Sequence, residues 1–96
     1  MTNFKFSLYG TQLGTRILGA KVRRALLQTL QKENKVVLDF SDVDVVANAF
    51  ADECIAKLLL TMSLEELKNK TTFIGLNDMA RMNILLALKR RQRTLR

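Results

Sequence analysis

The chain has 96 residues, 48% of them apolar, with one Cys, no His, no Pro, no Trp and a formal charge of +7. That length holds one small domain, and the apolar share is enough to give it a core. A single thiol excludes an internal disulfide, and without histidine it leaves no Cys/His set for zinc, so neither metal nor cofactor is expected.

The amino end, Met1 to Tyr9, lacks the basic start and apolar centre of a signal peptide. Every apolar run falls far short of the roughly 18 residues of a membrane span, so a cytoplasmic, bacterial-type protein without membrane contact is expected. Lys89, Arg90, Arg91, Arg93 and Arg96 carry five of the seven net charges, which leaves +2 for the rest of the chain. The reading is therefore a single domain over 1–88 and a basic carboxyl tail over 89–96.

In chain order, Phe4-Lys5-Phe6-Ser7-Leu8 alternates apolar and polar residues as a half-buried strand does, and Gly10 follows as a turn. After the start signal Gly14-Thr15, Leu18, Val22, Ala25, Leu26 and Leu30 recur at helical spacing. Lys35 to Phe40 is a short apolar run that closes on Asp39 and Ser41, the pattern of a buried parallel strand. Its carboxyl end is the edge at which open α/β sheets place functional loops.

Ala51, Ile55, Leu58, Leu59 and Met62 form the stripe of a second helix beginning just after Asn48, with Asp52 and Glu53 in its first turn. Ser63-Leu64-Glu65-Glu66 reads as a capping box that starts a separate short helical turn. Thr71 to Gly75 is a third strand, and Asn77 or Asp78 caps a last helix through Met79, Met82, Leu85 and Leu86 towards Arg90. The alternation implies an α/β fold: a small, mostly parallel sheet of three to four strands with three helices, the fourth strand being an edge around Asp44 to Val46.

Val36-Val37-Leu38-Asp39-Phe40-Ser41-Asp42-Val43-Asp44-Val45-Val46, followed by a tight turn and an apolar helix, resembles the central segment of the STAS superfamily, named for sulfate transporters and anti-sigma-factor antagonists. Ala49-Phe50-Ala51-Asp52-Glu53 further resembles an uncharacterised bacterial STAS-like family with a Phe-Ala-Asp-Glu segment. The resemblance implies a regulatory interaction domain whose partner is an ATPase of the histidine-kinase-like superfamily. Anti-sigma-factor antagonists are switched by phosphorylation in an Asp-Ser-Ser-Gly turn, and here those places fall on Ala47, Asn48, Ala49 and Phe50, which carry no hydroxyl. Asn48 is expected to keep a capping role.

The acids Asp39, Asp42, Asp44, Asp52 and Glu53 invite a catalytic or Mg²⁺-binding reading. Each has a simpler role as a turn former or first-turn dipole partner, and no nucleophile or phosphate loop adjoins them. No enzymatic activity is expected. Recognition remains, with a partner-binding loop of Asp39, Ser41, Asp42, Asp44, Asn48, Phe50, Asp52 and Glu53. Phe50 either contacts the partner or plugs the core as a hydrophobic staple.

Two further readings stay open. Lys89, Arg90, Arg91, Arg93 and Arg96, with Arg23 and Arg24, could bind nucleic acid through phosphates, or the tail charges could serve only to oppose a helix dipole. The last helix is apolar around most of its circumference, as in a homodimer.

Overall fold

A computed structural model describes residues 1–94. Its centre is β3 (Val36–Asp39), hydrogen-bonded on one side to β1 (Thr2–Lys5) and on the other to β5 (Thr71–Ile74), both parallel to it. The register aligns Phe4 with Leu38 and Leu38 with Phe73. Val36, Leu38 and Phe40 share one face of the pleat and are fully buried, whereas Val37 on the other face is half-buried. The predicted parallel sheet and its alternation with helices are therefore present.

Three local differences follow from tertiary pairing. The strand predicted over Phe4 to Leu8 stops at Lys5, the partner of Asp39, because the β3 ladder ends there. Phe6–Tyr9 then curls into a 3-10 turn, which drops Phe6 onto Phe40 with ring centroids 4.0 Å apart. Val45–Val46 (β4) does not join the main sheet. It pairs in parallel with β2 (Gln12–Leu13), a strand too short to leave a periodic signal, and forms a separate two-stranded sheet. Among the described residues there are four α-helices rather than three, because the capping box at Ser63 starts a complete short helix, α3 (Leu64–Lys70).

The first helix, α1 (Arg16–Lys32), is capped by the Thr15 hydroxyl and buries Val22, Leu26 and Leu30 as its spacing predicts. The second begins as α2 (Asn48–Phe50) and continues, with its backbone still in the right-handed region, through a π-helical segment (Ala51–Ile55) and a 3-10 segment (Ala56–Leu60). It packs between α1 and α4 (Asp78–Thr94), the last helix. The Asn77 side chain accepts a bond from Ala80 N at 2.8 Å and so caps α4. This helix does not end near Arg90. Lys89, Arg90, Arg91 and Arg93 ride on its last turns, while Arg96 lies outside the described residues.

Gly75 closes β5 with φ +74, and a Cβ there would meet Ser41 N at 2.5 Å and Ser41 Cα at 2.8 Å. The exit of β5 thus presses on the exit of β3, where only glycine fits. Gly75→Ala combines an unfavourable φ with a backbone clash and is expected to destabilise the fold by about 2–4 kcal/mol. Urea unfolding checks this: an unchanged midpoint would show that the two exits do not bear on each other.

Candidate functional site

At the end of β3, the buried Asp39 carboxylate accepts from Ser41 N at 2.9 Å. Hydrogen bonding to Ser41 holds its pKa below the usual carboxylate value, against the opposing effect of burial. Asp42 then takes φ 67, a left-handed conformation that Asp tolerates better than most residues. Val43 N closes the turn on Phe40 O at 3.1 Å. The next residues are held by α4, since Asn77 Nδ2 donates to Asp44 O at 2.9 Å and Asn83 Nδ2 to Val46 O at 2.8 Å.

Asn48 is the first residue of α2 and is exposed, and it does not cap the helix as expected. Ala47 occupies the cap position in extended conformation, with its carbonyl accepting from Ala51 N at 2.9 Å, so the amide of Asn48 is left to solvent. Phe50 is fully buried in the core and presents no surface to a partner. Of its two readings, the structure has the core plug, because the α2 turn points it between the sheet and its neighbouring helices.

Asp52 and Glu53 are not a free acidic pair. Asp52 takes Arg91 in a bidentate bond, Nε and Nη2 at 2.8 Å each, and Arg16 Nη1 at 2.8 Å. Glu53 is buried and meets Arg23 Nη1 at 2.9 Å, Lys57 Nζ at 2.9 Å and Arg16 Nη1 at 3.2 Å. Arg23 also donates to the Glu53 carbonyl oxygen. Hydrogen bonding to Arg91 lowers the pKa of Asp52 to about 2, with Arg16 assisting against burial. Burial raises that of Glu53, but Lys57, Arg23 and Arg16 outweigh it and bring the group to about 2.

The five acids therefore separate into different tasks. Asp39 closes a turn, Asp52 and Glu53 hold helices together, and only Asp42 and Asp44 remain exposed and without a salt bridge among the described residues. No group of three or more of these acids and Cys54 is placed to hold a cation among the described residues. Burial pushes the Cys54 thiol up to about 12, so it stays protonated and unreactive at neutral pH.

Between the start of α1, the head of α2 and the last turns of α4 lies an open cleft of about 320 Å³, lined mainly by Arg16, Asn48, Asp52, Arg90, Arg91 and Thr94. The bond of Asn77 to Asp44, those of Arg16 and Asn83 and the inward role of Arg91 had no signature in the sequence, because these partners lie 33 to 39 positions away. Only the Glu53–Lys57 spacing of four was a local signal. No helix of the described chain is long and apolar enough to cross a membrane.

Residues 19–81 match the family described as "STAS-like domain of unknown function (DUF4325)". Comparison with curated proteins and with solved structures finds no match. The matched span begins at Gly19, where α1 meets Glu53, and takes in the whole β3 exit and second helix.

The depressed values of Asp52 and Glu53 link stability to pH. Their folded values lie below the ordinary 3.8 and 4.5, so the contribution is complete above about pH 5 and is lost as pH falls towards about 2. Urea midpoints should decline steeply over that interval, and Glu53→Gln should flatten the decline. At neutral pH, Glu53→Ala leaves Arg23 and Lys57 crowded without their anion and should cost about 2–4 kcal/mol. A wild-type midpoint for that variant would show that the network is ornamental.

Proposed function

The chain belongs to the DUF4325 family of STAS-like domains, and on that footing we propose that it is a regulatory protein-interaction module without enzymatic activity, working in the cytoplasm. The observation that carries this reading is the uncovered side of α4. Met79, Met82, Leu85 and Leu86 are 50%, 60%, 50% and 39% exposed, a larger apolar surface than an isolated stripe on a small domain requires. Met79 and Leu86 stand four before and three after Asn83, whose side chain is bonded to β4, so they border the loop that carries Asp42 and Asp44.

A continuous face results, with apolar residues flanked by two free acids at one end and by Arg90 and Arg93 at the other. Methionines suit such a face because their flexible side chains adapt to a partner surface. Opposite charges at its two ends would orient that partner and select against a misaligned one. The partner proposed on the strength of the STAS resemblance is a histidine-kinase-like ATPase. With Asn48 where the family's antagonists carry a phosphorylated serine, binding would be controlled by the partner's state or by abundance rather than by phosphorylation of this turn.

A second reading rests on Lys89, Arg90 and Arg93, which are exposed together on the last turns of α4 and could follow a nucleic-acid backbone. Arg91 is already committed to Asp52 and adds little to such a surface.

Met82→Glu and Asp44→Lys alter exposed side chains and should leave the circular dichroism spectrum unchanged. Each is expected to weaken capture of a purified histidine-kinase-like ATPase from the same genome by about tenfold or more. Unchanged capture by both variants would refute the interaction face. Retention of duplex DNA or RNA that disappears with added salt, with no ATPase captured, would favour the second reading instead.

A further inference from the structure

The cleft beside Asn48 gathers more positive charge than its walls compensate. Arg16, Arg90 and Arg91 line it, and Asp52 is the one acid among its lining residues. Asp52 binds both Arg16 and Arg91, which fixes two guanidinium planes on the same carboxylate. Arg90 has no salt bridge among the described residues and is exposed at the cleft.

A guanidinium carries five N–H donors in a rigid fork. Arg91 spends Nε and Nη2 on Asp52, and Arg16 spends Nη1 on Asp52 and Glu53, so each retains donors that no protein acceptor takes up among the described residues. Arg90 offers a complete fork. Arg16 and Arg91 share Asp52, Arg16 also meets Glu53, and Arg90 adds an unpaired positive charge on the same recess, whose low-dielectric walls concentrate anions from solution. An oxyanion at this position would balance that charge and fill the remaining donors through short charge-assisted bonds.

We propose that the cleft lined by Arg16, Asn48, Arg90 and Arg91 is a binding site for a phosphoryl oxyanion, with Arg90 as its principal ligand and Arg16 and Arg91 pre-oriented by Asp52. Asn48 stands on the same wall and supplies amide donors, whereas the Thr94 hydroxyl is already donated to the Arg90 carbonyl oxygen at 2.8 Å. At about 320 Å³ the cleft lies near the lower end of the roughly 300–1,000 Å³ of small-molecule sites, so it has room for a phosphoryl group and a small carrier. The site adjoins the Arg90 end of the apolar face of α4, but none of the face's exposed apolar residues lines it, and it does not depend on a protein partner.

The test is a titration of the full chain with inorganic phosphate at constant ionic strength, followed by amide chemical shifts. Saturable shifts confined to the surroundings of Arg16, Asn48, Ala49 and Arg91 are expected. Arg90→Gln, an exposed substitution, should weaken binding about tenfold with the spectrum otherwise native, while Arg24→Gln, on an exposed part of α1 outside the cleft, should leave it unchanged. Parallel titrations with O-phosphoserine and AMP identify the carrier: tighter binding of either names it, and equal affinity points to the free ion. Shifts that never saturate, that spread over all basic segments, or that saturate with unchanged affinity in Arg90→Gln would overturn the proposal. Salt-sensitive duplex binding with no phosphate response would overturn it in favour of diffuse nucleic-acid contact. Because Met82→Glu should spare phosphate binding and Arg90→Gln should weaken it, failure here is distinguishable from failure of the protein-partner reading.

Discussion

Two neighbouring carboxylates, Asp52 and Glu53, join the head of the second helix to the two helices that flank it, α1 and α4. Glu53 faces Arg16 and Arg23 on α1 and Lys57 one turn further along its own helix, whereas Asp52 faces Arg16 and Arg91 on α4. Salt bridges between exposed side chains contribute little, but Glu53 is buried, so removing either side would strand charge in a poorly solvated place. The arrangement requires α1 to approach closely. Gly19 permits this, for a Cβ there would lie 2.9 Å from Glu53 Cβ. The position of α4, and with it the cleft and the apolar face, depends on this contact.

The π-helical segment Ala51–Ile55 is the local device that accommodates the pair. A wider turn changes the angular step along the helix, and the N–H of Ala56 reaches both the Ala51 and Asp52 carbonyls. Phe50, Ala51, Cys54 and Ile55 are buried on the remaining circumference. Asp39, Asp52 and Glu53 are thus occupied with holding the fold. What is left on the surface is two exposed aspartates, an asparagine without a capping duty, an apolar helix side and a cluster of arginines.

Much of the fold was legible in local patterns because those patterns are set by nearest neighbours. The helical spacing of Val22, Leu26 and Leu30, the apolar β3 run, the Ser63 capping box and the Asn77 cap all appear where the residues predict them. Where the expectation differed, a distant partner decided. The alternation through Leu8 would suit a longer strand, yet β3 offers no partner beyond Asp39. Val45–Val46 finds β2 rather than the main sheet, and two-residue strands carry too little sequence to announce a pairing. Phe50 has the same composition signal whether it meets a partner or the core, and only packing around it shows which.

The sequence by itself determined the α/β class, the parallel order of strand and helix, the STAS-like strand exit and the absence of a hydroxyl at positions 47–50. These follow from residue periodicity and from identity at single positions. Only the tertiary structure decided the use of each charge. Arg91 reads as one of a basic series along the chain, but a bidentate bond to Asp52, 39 residues away, turns it inward while Arg90 remains free at the cleft. Apart from Glu53–Lys57, these ion pairs are a matter of distances across elements, and no spacing within one helix encodes them.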